Sequence, residues 1–343
     1  MPIGVSVVIV TWNERAWIGR CIESLLPELQ PGDELIVADN GSTDGTLDIV
    51  RSLAPDATVL ENEENLGFAG GCDAGAAVAS GELLVLLNPD TVVAPGFGEA
   101  IRRPLTEARD WDAWQALLTM DGGTRINTDG NVIHFTGIGW AGNMGEPIAV
   151  APTAPREVGF LSGACMAMPL ETWRRVGGMP ARFFLYCEDV DVSLRLRLEG
   201  GRIGIEPTAH VEHEYEFSGR APKWRMLERN RWATVLRTYP TGLLLAVLPA
   251  LIATELALFV VAARGGWGGQ KLLAIADVVR ALPLTLRERR AIQSRRRISS
   301  AEFAEWLVPE LSSPYIPEAA RHPLLARLLR AYWRVARTAV GLR

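Results

Sequence analysis

Val5 to Val10 is a β-branched run of the kind that fills a parallel strand buried on both faces. Glu14 to Leu29 reads as a helix with Ile18, Ile22, Leu25 and Leu26 on one side, stopped by Pro31-Gly32. Glu34 to Ala38 is a second strand, closed by the polar turn Asp39-Asn40-Gly41-Ser42. A helix capped by Ser42 or Thr43 then runs to about Leu53. Ala57 to Glu61 is a short third strand, Phe68 to Ala79 a helix rich in Gly and Ala, and Leu83 to Leu87 a fully apolar fourth strand. This alternation predicts an α/β fold built on a mainly parallel sheet with right-handed crossovers. In such sheets ligands bind at the carboxyl ends of the strands, and Asn13, Asp39 and Asp90 each follow one.

From about Trp111 to Pro155 the pattern weakens into Gly, Asn and Thr with short alternating pieces, which predicts loops and hairpins over the site. Order returns with Gly159 to Pro169, a helix over Leu170 to Val176 and another over Val190 to Glu199. Arg202 to Ile205 is a late strand, with His210 to His213 just beyond it. Leu243 to Ala263 is apolar except for Glu255 and contains Pro249, and the last helix, about Pro323 to Val340, is amphipathic.

Composition adds two constraints. The 343 residues, 48% hydrophobic and 22% charged, suit one large globular domain or two ordinary ones. The four cysteines are scattered without a C-x-x-C pair, as expected of buried thiols in a reducing compartment. Met1 to Val10 has neither a basic n-region nor a small-residue cleavage site, so it reads as a strand rather than a signal peptide.

The net charge of −5 hides an asymmetry. Residues 1–230 carry 18 Lys/Arg against 33 Asp/Glu, and residues 231–343 carry 17 against 7. A basic tail on an acidic body either packs on that body or meets an anionic membrane surface. Leu243 to Ala263 is long enough to span a bilayer, but a span would leave the six arginines of Arg287 to Arg297 outside. A re-entrant or interfacial pair of helices broken at Pro249 keeps both ends cytosolic, with Arg264, Lys271 and the arginine cluster on lipid phosphates. A buried helix and a simple span remain the other readings.

The candidate chemistry is acidic. Asn88-Pro89-Asp90 ends a buried strand, where a carboxylate is unfavourable without a partner; a hard cation carrying a diphosphate is one such partner, a plain surface turn the other reading. Glu188, Asp189 and Asp191 open a helix, where they suit the helix dipole or supply a general base. Asp189 and Asp191, two apart, cannot share a helix face, so one is expected to be catalytic and the other structural. The aromatic approach Phe183-Phe184-Leu185-Tyr186 would exclude water. Asp39 can accept from the ring N–H of a uracil or thymine, or cap its own turn. Asn65-Leu66-Gly67-Phe68-Ala69-Gly70-Gly71 leads into a helix, either for approach to phosphate or ribose or for close packing. It is not a G-x-G-x-x-G after the first strand, which disfavours a nicotinamide enzyme. His213 is the histidine expected to join Asp90 on a metal.

These stretches together resemble family 2 glycosyltransferases of GT-A fold, and more narrowly the bacterial rhamnosyltransferase type. They are Val7 to Asn13, Ala38 to Gly45, Glu64 to Gly71, Leu86 to Asp90, Leu161 to Cys165, Phe183 to Asp191 and Pro207 to His213, in the family's order over about residues 5–220. The resemblance implies a GT-A catalytic domain over residues 1–230, with nucleotide-sugar binding in about 1–110 and the acceptor side and base in about 111–230. Residues 231–343 would be a helical, membrane-associating region.

The resemblance also implies an inverting transfer of a sugar, rhamnose from dTDP-rhamnose as the best expectation, to a lipid-linked or cell-envelope glycan. A UDP-hexose donor and a non-catalytic scaffold are the alternatives. Asp189 would be the base and Glu188 would help place the acceptor. Thr11, Asn13, Asp39, Asn65, Gly67 and Asp90 would bind the donor, and Asp90 and His213 would hold Mg²⁺ or Mn²⁺. Asn88 stands where the family's metal motif can have its first Asp. The expected place of work is the cytoplasmic face of the cell membrane, peripheral or monotopic, without nucleic acid. Glu228-Arg229-Asn230-Arg231-Trp232 has Glu where processive synthases have the Gln of Q-x-x-R-W, which speaks against a processive enzyme.

Overall fold

Every residue of the first strand, β1 (Val5–Thr11), is buried, as its β-branched run requires. The computed structural model describes residues 3–214, 221–313 and 322–341; the end of the family-like stretch, residues 215–220, lies outside them. The chain divides into one unit of Met1–Asn131, Ala141–Val192 and Arg202–Glu216, and a second of Val132–Trp140, Ser193–Gly201 and Phe217–Arg343.

In the first unit β1 is followed by α1 (Ile18–Leu25), β2 (Glu34–Asp39), α2 (Thr46–Leu53), β3 (Thr58–Glu61), α3 (Gly67–Val78) and β4 (Leu83–Leu87). Then come β5 (Thr91–Val93), the short helices α4 (Phe97–Ala100) and α5 (Arg103–Thr106), β6 (Ala113–Met120) and β7 (Arg125–Thr128). The second unit holds β8 (Val132–His134) and β9 (Gly139–Trp140). The first resumes with β10 (Arg156–Glu157), β11 (Cys165–Pro169), α6 (Leu170–Val176), the start of α7 (Glu188–Leu198) and β12 (Ile203–His213).

The large sheet runs β10-β12-β6-β11-β4-β1-β2-β3, with β5 on β12 and β7 on β6. It is parallel through β4-β1-β2-β3 and between β6 and β12; β11 lies antiparallel between the two groups. Its core joins Ile18, Ile22 and Leu25 of α1 to Val7, Ile9, Val37 and Val85. The glycines of α3 let it lie directly on β1: a Cβ on Gly71 would meet Val10 at 2.5 Å, and one on Gly75 would meet Val8 at 2.3 Å.

Four expectations need correction. Glu14–Trp17 is a turn, so α1 starts at Ile18. The N-cap of α2 is Gly45, neither Ser42 nor Thr43, and Asp44 Oδ1 just before it takes the Thr46 N–H at 3.0 Å. Between Trp111 and Pro155 the expected hairpins are present as β6–β7 and β8–β9, but β6 is an eight-residue strand inside the large sheet rather than a cover over the site. Its Gln115 and Thr119 interrupt the apolar pattern yet are buried, because Gln115 Oε1 accepts the Ser162 N–H and the Thr119 hydroxyl donates to the Val211 carbonyl. The late strand runs on to His213, so His210 and His213 lie within β12.

The second unit adds α8 (Ala221–Thr238), α9 (Thr241–Arg264), α10 (Gly268–Ser294), α11 (Ser300–Ala304), β13 (Leu307–Val308) and α12 (Pro323–Ala339). Its small sheet is ordered β13-β8-β9. Pro249 does not break α9, contrary to expectation. Proline removes one backbone hydrogen bond, and its exposed position leaves the freed carbonyl open to water. The break falls instead at Gly265-Gly266-Trp267, between α9 and α10.

Glu255, the charge inside the apolar helix, has its partners within the unit. Its Oε2 is 2.8 Å from Arg231 Nη2 and takes the Trp232 indole N–H at 2.9 Å, and its Oε1 meets Lys271. Glu228 pairs with Arg231 and Lys271 as well. Burial alone would push Glu228 up; the two cations outweigh it and hold its carboxyl at about 2. Glu228, Arg231 and Trp232 of the motif weighed against processive synthases thus tie α8 to α9 and α10.

Candidate active site

The end of β4 delivers Asn88 and Asp90 to the carboxyl edge of the sheet. The pairing of β12 with β5 sets His213 opposite Thr91, and the Glu214 N–H donates to the Asp90 carbonyl at 3.0 Å. His213 Nε2 then stands 3.4 Å from Asp90 Oδ1, beyond a good hydrogen bond. Asn88 Oδ1 and Asp90 Oδ1 are buried and make no hydrogen bond with the described residues. Two buried acceptor oxygens without a donor, beside an imidazole, fit a hard divalent cation. No three His, Cys, Asp or Glu side chains converge among the described residues, so Asn88 would be the further oxygen. Burial raises the Asp90 carboxyl, but His213 and the local hydrogen bonds prevail and hold it below its usual range.

The second carboxylate group reaches this edge through the Ser162-Gly163-Ala164 segment. The Asn88 N–H donates to the Ala164 carbonyl at 2.9 Å, and the Gly163 N–H donates to Asp189 Oδ2 at 3.2 Å. Two hydrogen bonds therefore fasten Asp189 next to the β4 terminus. Asp189 is half-buried, and desolvation pushes its carboxyl up to about 6 despite the N–H groups of Gly163 and Val190. Burial, then Asp189 and Asp191, raise Glu188 well above the usual carboxylate range. Its Oε2 is buried without a hydrogen-bond partner among the described residues. Asp191 is fully buried, so the two aspartates part as their spacing predicts.

Several expected donor residues are engaged with their own loops. Asp39 accepts the Thr11 hydroxyl at 2.7 Å, the Ser42 hydroxyl at 2.5 Å and the N–H groups of Gly41 and Ser42 at 3.1 and 2.8 Å. Those four bonds fill a carboxylate, so the turn-capping role is the one the geometry displays. Asn13, left-handed at φ 59°, takes the Thr43 N–H, and Asn65 takes the Gly67 N–H.

Gly67 serves a close approach. Its φ is 70°, and a Cβ would lie 2.3 Å from the Phe184 carbonyl oxygen, which accepts the Ala69 N–H at 3.2 Å. The first turn of α3 thus docks on the turn before Asp189, where Phe184, Tyr186 and Cys187 all have positive φ. Of the aromatic approach only Phe183 enters the core; Phe184 is 36% exposed. Gly67→Ala is expected to destabilise the protein by about 2–4 kcal/mol, read by urea denaturation. An unchanged midpoint would mean that this turn is not held by α3.

Two residues at this edge escape a reading by motif. Trp12 is 55% exposed directly after a buried strand, and an isolated exposed indole at a strand end was its signal. Burial, then Asp90 and Asp44, push Glu14 up to about 7. Nothing local in the sequence marks that, because its causes, burial first and then the nearness of Asp90, are set by the fold.

A Rossmann-like sheet with an acidic, cation-fitting edge and a second carboxylate pair beside it defines a GT-A glycosyltransferase fold. Residues 6–165 match the family model described as glycosyl transferase family 2. An N-acetylglucosaminyl-diphospho-decaprenol L-rhamnosyltransferase of Mycobacterium tuberculosis is 29% identical over 247 residues, 63% of this chain and 78% of that protein. The crystal structure of GalNAc-T7 with UDP, GalNAc and Mn²⁺ is similar with a TM-score of 0.60 and 18% identity, over 73% of this chain and 51% of that one. S. aureus TarS 1-349 in complex with UDP-GlcNAc is similar with a TM-score of 0.58 and 16% identity, over 98% and 90%. Residues 6–165 thus match the family 2 glycosyltransferases, and the chain is similar to a rhamnosyltransferase.

Proposed function

We propose that this glycosyltransferase inverts the anomeric centre as it moves rhamnose from dTDP-rhamnose to a hydroxyl of a lipid-linked acceptor. It works at the cytoplasmic face of the cell membrane as a peripheral or monotopic protein. The carrying observation is the pair of hydrogen bonds that sets Asp189 beside Asn88 and Asp90. The choice of sugar and acceptor is supported by the mycobacterial relative's own activity.

In this reading Asp189 takes the proton of the acceptor hydroxyl while that oxygen attacks the anomeric carbon and the bond to the diphosphate oxygen breaks. Glu188, whose carboxyl is raised well above the usual range by burial and by its acidic neighbours, orients the acceptor through its buried Oε2. Asp90, His213 and Asn88 would hold Mg²⁺ or Mn²⁺. When bound, such a cation offsets the charge of the departing diphosphate. Thr11, Asn13, Asp39, Asn65 and Gly67 shape the loops against which the nucleotide lies, and Trp12 offers an exposed indole for the base.

The test is a thermal-shift screen of dTDP-rhamnose, UDP-sugars, GDP-sugars and NAD(H), each with and without Mn²⁺, followed by transfer to a water-soluble N-acetylglucosaminyl diphospholipid analogue. A Mn²⁺-dependent rise in Tm with dTDP-rhamnose, and a rhamnosylated product, are expected. A response to UDP-hexose alone would replace the donor, and no response to any nucleotide-sugar would leave a scaffold.

A further inference from the structure

Leu245, Leu248, Ile252, Leu256 and Val260 recur at three- and four-residue spacing along α9, so they share one face. All five are exposed, Leu245 and Leu256 to 64%. No charge breaks this face, because Glu255 turns inward to Arg231 and Lys271. α10 adds exposed Leu272, Leu273, Val279, Leu282, Leu284 and Leu286. Single exposed leucines are ordinary on a protein in water; a contiguous helix face of them marks a contact surface.

Both ends of that face are basic. Arg264 closes α9 and is exposed. At the other end Arg289 donates to the Leu236 and Tyr239 carbonyls and to the Thr241 hydroxyl, which brings the last turns of α10, with exposed Arg287 and Arg290, beside the start of α9. A second copy related by a two-fold axis would set cationic end against cationic end in either direction. Lipid phosphates complement both ends.

We propose that the outer face of α9 and α10 is a monotopic docking surface for an anionic phospholipid bilayer. The α9 stripe enters the acyl boundary and Arg264, Arg287 and Arg290 engage lipid phosphates. This deepens the proposed function and rests on it for the lipid-linked acceptor. The helix lies in the plane of the membrane rather than across it. The ion pairs of Glu255 hold the inner side of α9 against α8 and α10, so it offers lipid only its outer side.

The purified full-length chain, without donor or acceptor, is co-sedimented with vesicles of phosphatidylcholine alone or mixed with phosphatidylglycerol. Salt-sensitive binding to the mixed vesicles is expected. Ile252→Glu/Leu256→Glu should weaken it at least about tenfold, and Arg287→Glu/Arg290→Glu should remove the preference for phosphatidylglycerol. These side chains are exposed, so an unchanged Tm and an unchanged nucleotide-sugar shift will show that the variants fold.

Any of the following results would overturn the proposal. The wild-type chain stays in the supernatant, the Ile252→Glu/Leu256→Glu variant binds like wild type, or light scattering finds a dimer that this variant splits. A cysteine placed at Gly269, where a Cβ meets nothing within 4 Å, reports orientation on bound vesicles when the half-buried Cys187 is replaced by serine. Labelling by an impermeant maleimide added outside supports the in-plane mode, and protection overturns it. Vesicle binding without any sugar transfer to a soluble acceptor would instead sink the transferase reading and leave the surface standing.

Discussion

Asp189→Asn is expected to lower kcat by about 10²–10⁴-fold while the affinity for the nucleotide-sugar stays within about twofold, because a general base acts on the acceptor proton only in the transition state. The amide oxygen keeps the bond from Gly163 and gives up the one from Val190, which met the other carboxylate oxygen, so the tie to the Ser162-Gly163-Ala164 segment is kept while the proton acceptor is lost. Desolvation has raised Asp189 to about 6, which sets the sign of the pH dependence. The base must be ionised, so the wild-type rate falls as pH drops through about 6 and levels off above it. In Asp189→Asn that acidic limb disappears from the residual rate. A variant with wild-type kcat, or one that keeps the limb at about 6, would move the base elsewhere. Glu188 is then the first alternative, although burial and its acidic neighbours hold its carboxyl well above the usual carboxylate range.

The parts legible in the sequence were those whose physics is local. Val5 to Thr11 and Leu83 to Leu87 announce buried strands by composition alone, and Leu170 to Val176 announces its helix. Their strand ends in turn point to Asp39 and Asp90. What was not legible depends on partners distant in sequence. β6 looks like loop because its polar residues are satisfied by Ser162 and Val211. Gly67 looks like a phosphate lead-in, but its missing Cβ makes room for Phe184, more than a hundred residues away. Glu255 looks like a lone charge in an apolar helix until Arg231 and Lys271 are placed beside it. His213 was legible as a companion of Asp90 from the acidic motifs upstream of it and from the family resemblance; the strand pairing that delivers it has no local signal.

Asp90→Ala is expected to abolish the Mn²⁺ dependence of donor binding and to lower kcat/KM by about 10²–10³-fold, since it removes the one carboxylate aimed at the proposed cation. Thermal stability without metal should move by only a few degrees, because Asp90 Oδ1 makes no hydrogen bond with the described residues and the strand before it is packed by Leu83 to Leu87. Asp90→Asn separates charge from shape. It restores the volume but not the negative charge, so it should rescue stability and leave the metal response lost. The same variant carries an internal check. Asp90 is the leading charge that raises Glu14, so the Glu14 carboxyl should titrate below about 7 in Asp90→Asn, read by NMR. His213→Ala should weaken the Mn²⁺ response less than Asp90→Ala, because an imidazole contributes a neutral donor where the carboxylate contributes charge. Full Mn²⁺ stimulation in Asp90→Ala would take the cation away from this edge, and Asn88 and His213 would then be structural.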